Sequence, residues 1–196
     1  MKASTLYLIT ALASALVCSC KGSTTWTEQE TALISGEGVM KVYTTADVQD
    51  SLLLRQPSAI LSADDIASPL YETLAQRMLE TVNSPEQNGV GIAGPQVGVL
   101  RRVVAVMRYD KEGYPFEVFP NIRIDEYIGQ TQPGPEGCLS VPDMRGMVQR
   151  HQEIKISYTS PKTLCDTTEY INGYTAVIFQ HECDHLDGIL YIDKME

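Results

Sequence analysis

The chain has 196 residues, of which 43% are hydrophobic, and carries 15 Lys and Arg against 25 Asp and Glu. That length suits one domain with extensions, the apolar fraction suffices for a core, and a formal net charge of −10 argues against a nucleic-acid surface. Five cysteines (Cys18, Cys20, Cys138, Cys165 and Cys183), an odd number without regular spacing, argue against a disulfide scaffold.

Residues 1–20 stand apart from the fold. Lys2 is the only charged residue before Lys21, and residues 6–17 form a short, mostly apolar run. The run is too short to span as an ordinary transmembrane helix but matches the core of a signal peptide. It ends in Val17-Cys18-Ser19-Cys20, which resembles a bacterial lipobox. The resemblance implies cleavage before Cys20, lipidation of Cys20, membrane attachment, and a position facing the periplasm or cell exterior. Cleavage at Cys18, a plain secretory signal and an uncleaved anchor are the alternatives, and a cytoplasmic location follows if the segment is no signal at all. Residues 1–19 are thus set aside as a signal peptide. Residues 20–46, rich in Ser, Thr and Gly, read as a polar tether with a short strand at 39–43, and residues 47–196 read as the folded domain.

Within that domain, residues 52–62 contain Pro57 and suggest extended chain or loop. Ser68-Pro69 opens a helix, with serine as cap and proline in the first turn. Leu70, Leu74, Met78, Leu79 and Val82 form its apolar stripe, and Asn83 and Pro85 end it. The glycine-rich stretch 89–98 is a poor phosphate loop: Pro95 interrupts it, no strand precedes it and no Lys-Ser/Thr follows. Its small residues suit close backbone approach to a bound peptide, with Gln96 as an amide donor, or a tight turn. Residues 101–107, 116–124 and 154–159 read as strands, with a turn at 110–113. Asn172-Gly173 marks a turn before a last helix, at about 175–185, apolar on nearly all sides and therefore central. Gly188 ends that helix, and residues 189–192 read as a final short strand.

The last helix carries His181-Glu182-Cys183-Asp184-His185. Positions i and i+4 share a helix face, so His181 and His185 can point at one ion, with Glu182 placed to take a proton from water beside it. A third ligand is needed. Asp187 and Asp193 are poorly spaced for it, whereas Cys138, on a stiff segment flanked by Pro133, Pro135 and Pro142, offers a thiolate. Taken alone, a residue such as Cys138 is more often a small buried hydrophobe.

Residues 89–96, 136–140 and 181–185 carry, in order, G-x-G-x-A-x-x-Q, E-G-C-L-S and H-E-x-x-H. These resemble the three motifs of the peptide deformylases, and the similarity runs loosely from about residue 52 to 192. The resemblance implies an α+β fold with antiparallel sheets packed around the C-terminal helix. It implies one divalent transition metal held by Cys138, His181 and His185, commonly ferrous iron, with zinc or nickel possible. The implied substrates are N-formylmethionyl peptides, hydrolysed by water activated at the metal; a monomer is expected. Glu182 would take the water's proton and return one to the leaving amine, while the Leu139 N–H and the Gln96 amide stabilise the oxyanion. Val90, Tyr174, Val177 and Ile178 match positions lining a methionine pocket, and Gly91 one that holds the peptide backbone. The roles of Arg145 and Arg150 stay open. Gly94 departs from the family's usual alanine, and a lipoprotein-like start sits oddly with chemistry performed on nascent chains. A secreted zincin-type metallopeptidase and a non-catalytic surface lipoprotein with this fold are the competing function classes. Turnover of formylated peptides separates them from a deformylase.

Overall fold

A computed structural model describes residues 26–195; the signal segment, Cys18 and Cys20 lie outside the described residues. From Trp26 onward the chain is packed, which corrects the tether expected through residue 46. Thr27 and Glu30 cap one another reciprocally and start helix α1 (Glu28–Ile34). Ile34 and Met40 are buried in the same cluster as Leu74 and Met78. Arg77, itself buried, donates to the carbonyls of Leu33, Ile34, Glu37 and Gly38. Arg101 holds Glu30 at 2.7 Å. In the stretch that suggested a tether, Thr27 thus caps a helix and Gly38 presents its backbone oxygen to an arginine. No strand forms at 39–43. Instead the Met40 N–H binds Thr81 Oγ1 (2.8 Å), the Tyr43 N–H the Gln96 carbonyl (2.8 Å), and the Thr45 N–H the Ser140 carbonyl (2.8 Å).

Asp47 caps helix α2 (Val48–Leu54), so part of the stretch expected as extended is helical. A single helical turn, α3 (Ala63–Ile66), follows with its own Ser62–Asp65 capping box. Helix α4 (Pro69–Val82) forms as expected: Ser68 accepts the Tyr71 N–H, and Leu74, Met78 and Val82 are fully buried.

Two antiparallel three-stranded sheets follow. The first contains β1 (Gly91–Ala93), β2 (Val103–Met107) and β3 (Phe116–Pro120) in that spatial order, leaving β1 on an edge. A 3-10 turn, Gly94–Val97, follows β1. The strand expected through residue 124 breaks at Asn121, which has φ +56° and whose side chain bonds the Leu61 backbone N–H and carbonyl. The second sheet contains β4 (Arg123–Cys138), β5 (Val141–Thr159) and β6 (Asp166–Asn172). The β4–β5 hairpin is much longer than the strand expected at 154–159, because its outer half is largely exposed and gives no apolar alternation. Pro133 and Pro135 are tolerated because β4 is an edge strand.

Helix α5 (Gly173–Leu186) lies between the sheets. Ala176, Phe179, Cys183 and Leu186 share one cluster with Val104 and Phe119 of the first sheet and Ile154, Ile156 and Ile171 of the second. Phe179 meets Phe119 edge-on at 5.0 Å. Each such side chain, fully buried, contributes about 1.5–3 kcal/mol. Gly188 ends the helix with φ +73°, where a Cβ would lie 2.7 Å from the Arg55 carbonyl carbon. The final strand expected at 189–192 is instead a 3-10 turn, Tyr191–Asp193, with Leu190 and Tyr191 buried. The architecture is α+β, with antiparallel sheets around the C-terminal helix. No helix among the described residues is long and apolar enough to cross a membrane.

Candidate metal centre and substrate cleft

The last two turns of α5 bring His181 and His185 to one face, with ring centroids 5.1 Å apart. Cys138 closes β4, where the hairpin turns through Leu139 and Ser140. Its Sγ lies 3.1 Å from His185 Nε2, and one ligand atom from each of Cys138, His181 and His185 falls within 4.8 Å of the others. Sulfur and imidazole nitrogen are the donors of borderline transition metals such as zinc and iron.

The surroundings favour positive charge there. Glu136 Oε2 lies 2.8 Å from His181 Nδ1, so Nδ1 donates and Nε2 remains as the ligand atom. Burial works against charging His181, but Cys138 and Glu136 outweigh it and hold its pKa well above the usual value. Burial also opposes ionisation of Glu136, yet His181 and Arg150 bring its carboxyl down to about 2. Cys138 and Glu136, which favour positive charge on His181, would favour a metal cation at the same donors, so the residues present fit the implied ion.

Glu182 faces the same space. Burial raises its pKa to about 7, and its Oε2 is buried with no hydrogen-bond partner. Such a carboxylate is poised to exchange a proton near neutral pH. The Ala93 N–H donates to Gln96 Oε1 (2.8 Å), which turns the Gln96 amide nitrogen toward Ser140 Oγ (3.1 Å) and Cys138 Sγ (3.5 Å). The oxygen is thereby used up and the donor end faces the metal ligands.

A cavity of about 780 Å³ opens over these groups. Val90, Gly91, Gln96, Cys138, Leu139, Tyr174, Val177, Ile178, His181 and Glu182 line it, so every candidate contact for peptide or oxyanion reaches one space. Gly91 is required there: a Cβ would sit 2.9 Å from both Glu182 Cδ and Ile178 Cγ2. Gly94 is equally constrained, since a Cβ would lie 2.6 Å from the Val99 carbonyl oxygen. The alanine usual at that position in the resembled family would not fit this loop without a backbone shift.

A family model described as polypeptide deformylase matches residues 42–196. The chain belongs to the polypeptide deformylase family. A peptide deformylase of Leptospira biflexa is 39% identical over 151 residues, covering 74% of this chain and 83% of that protein. A class I type b peptide deformylase from Acinetobacter baumannii, solved with Met-Ala-Ser bound, superposes with TM-score 0.72 at 34% identity, covering 82% of this chain and all of the other. The same enzyme with actinonin bound gives TM-score 0.71 at 34% identity, again covering 82% and 100%. Membership makes the chain a metal-dependent hydrolase that removes formyl groups.

In this deformylase fold the two arginines left open separate cleanly. Arg145 lines the cavity. Arg150 does not: it is buried, bonding Glu136 at 2.7 Å and Asp184 at 2.6 Å, and Lys194 also binds Asp184 at 2.7 Å. Glu136, Arg150, Asp184 and Ser140, which sequence reasoning left without a role, bond to the cluster, to Gln96 or to one another. Glu136 and Ser140 sit within the Cys138 motif, which was the available signal; nothing in the spacing pointed to Arg150 and Asp184.

Proposed function

We propose that the chain releases formate from the N-terminal formylmethionine of peptides, with Cys138, His181 and His185 holding the metal. The observation that carries this is the partnerless Glu182 carboxylate beside the Cys138–His181–His185 cluster, at the floor of a peptide-sized cavity. A bound divalent ion would supply Lewis acidity, polarising the formyl carbonyl and acidifying water. Glu182 takes the proton from that water and returns one to the departing amine. Gln96 Nε2 and the Leu139 N–H donate to the oxygen that gains charge, a contribution of about 3 kcal/mol per donor in comparable sites. Val90, Tyr174, Val177 and Ile178 enclose the methionine side chain, and the bare backbone at Gly91 lets the peptide approach Glu182. Ferrous iron is the expected ion, with zinc or nickel able to occupy the same donors.

The test is formate release from formyl-Met-Ala-Ser by protein purified without oxygen and loaded with ferrous iron, beside Glu182→Ala. Turnover that vanishes in the variant supports the proposal. No turnover by metal-loaded protein sinks it. The zincin-type endopeptidase and the non-catalytic lipoprotein draw no support: the cluster includes Cys138, and a binding module needs no buried base such as Glu182. We also propose that Cys20 is lipidated and anchors the enzyme at a membrane surface. Incorporation of labelled palmitate that Cys20→Ala abolishes supports this, and labelling that persists without Cys20 refutes it.

A further inference from the structure

Helix α2 turns part of its apolar surface away from the core. Asp50 and Leu54 are buried, whereas Val48 and Leu52, four residues apart and hence on one helix face, are 71% and 58% exposed. The surface continues past the helix. Leu53, Pro57, Ala59 and Leu100 line a shallow depression with Thr27, and Ile60, next in chain to Ala59, is 68% exposed. Single exposed apolar residues need no explanation, but several around one short helix mark a surface that something covers.

The N-terminal end of the chain says what lies there. Thr27, in the wall of that depression, follows Trp26, and Cys20 precedes Trp26 by only six residues. Six extended residues reach about 22 Å at most. A lipid on Cys20 keeps a bilayer within that reach of Trp26, and the apolar surface adjoining Thr27 lies beside the same point. Over so short a tether the effective concentration of the bilayer is in the millimolar range, so a contact too weak to recruit a free protein suffices. Apolar contact suits this chain better than charge, because a formal net charge of −10 repels anionic headgroups. Two cationic side chains at α2 are already paired within the chain, Lys41 with Asp50 at 2.9 Å and Arg55 with Asp193.

The same geometry keeps the reaction clear of the membrane. Helix α2 leads to the C-terminal end of α5: the Ser58 N–H binds the Leu186 carbonyl at 2.8 Å, and Gly188 packs on the Arg55 backbone. The substrate cavity meets α5 from Tyr174 to Glu182 instead. Tyr174 and Leu186 stand about 18 Å apart along the helix axis. None of Val48, Leu52, Leu53, Pro57, Ala59 or Ile60 lines the cavity. A chain resting on this surface leaves the cleft open to peptides in the water phase.

We propose that the α2 surface, around Val48, Leu52 and Ile60, rests on a lipid bilayer and fixes the orientation of the anchored enzyme, with its cleft turned to dissolved peptides. This rests on the lipidation reading of Cys20. It is tested by amide hydrogen exchange, read by mass spectrometry, on the lipidated mature chain in phosphatidylcholine vesicles, beside the mature chain carrying Cys20→Ala free in solution. Amides in residues 46–60 should exchange several-fold more slowly on vesicles, and those in residues 136–147 at the solution rate. Val48→Ser combined with Leu52→Ser should restore the solution rate at 46–60 while leaving the lipid and kcat/KM for formyl-Met-Ala-Ser unchanged. A lipidated chain whose residues 46–60 exchange as fast on vesicles as in solution, slowing that the double variant does not remove, or slowing at 136–147 instead overturns the docking alone. Slowing that appears in the Cys20→Ala chain as its concentration rises identifies a second copy as the occupant and also overturns the docking. A chain without lipid on Cys20 overturns the anchor and the docking together.

Discussion

Helix α5 and the N-terminal strap, residues 26–46, both reach the metal centre, by opposite means. The helix is held by apolar contact with both sheets and places His181, Glu182 and His185 through its own periodicity. The strap is held largely by polar bonds: Arg77 on four backbone carbonyls, Arg101 on Glu30, and N–H groups of Tyr43 and Thr45 on the carbonyls of Gln96 and Ser140. The helix therefore places the candidate catalytic side chains, and the strap bonds the two loops that face them. The helix's apolar contacts carry no charge and do not respond to pH, whereas the Glu30–Arg101 pair that holds the strap does.

The comparison breaks most visibly at the ligands. His185→Ala or Cys138→Ala should reduce bound metal, read by elemental analysis, and formate release together to near background, with the fold retained. A variant that keeps both would remove the helix from the chemistry. Glu182→Gln should keep the metal and lower kcat by about 10²- to 10⁴-fold, the usual worth of a proton-transferring group. Glu136→Gln should weaken metal affinity by about 10- to 100-fold through the loss of His181 orientation, measured by competition with a chelator. The smallest effect sharpens the strap. Arg101 and the Thr27 N–H hold Glu30 below its ordinary pKa of 4.5 against the opposing effect of burial. A depressed folded-state pKa gives stability that is full above 4.5 and lost as pH falls through the lower folded value. Limited proteolysis within residues 26–46 should thus be slow and constant from neutral pH to about 5 and accelerate below the glutamate range. Glu30→Gln should be cut readily at every pH, and a variant as resistant as the native protein at pH 7 would show that the pair does not hold the strap.

The same contrast explains what the sequence disclosed. Helix α4 and helix α5 were legible because their burial is apolar and periodic, and Ser68-Pro69 marks a start by local chemistry. The Cys138–His181–His185 cluster was legible because two of its members are four residues apart on one helix and the third lies in a short motif. The strap was hidden because its partners, Arg77 and Arg101, are dozens of residues away and its own composition is that of a linker. The outer β4–β5 hairpin was hidden because backbone pairing holds it with few buried side chains. Arg150 was ambiguous because an arginine beside a motif reads alike whether it meets substrate or lies beneath the site. Only the ion pairs with Glu136 and Asp184 decide that.

The stop imposed at Gly188 has an electrical consequence. It makes the turn containing His185 the last turn of a 14-residue helix. The final carbonyls of such a helix find no N–H of their own helix and concentrate partial negative charge. A cation held by His185 would be favoured by the peptide dipoles of α5, by roughly 0.3–1 kcal/mol and more where solvent is excluded. A helix continuing one turn further would carry that charge past the site. By letting the Arg55 backbone approach where no side chain fits, one glycine marks the end of the helix and thereby the turn that carries its last histidine.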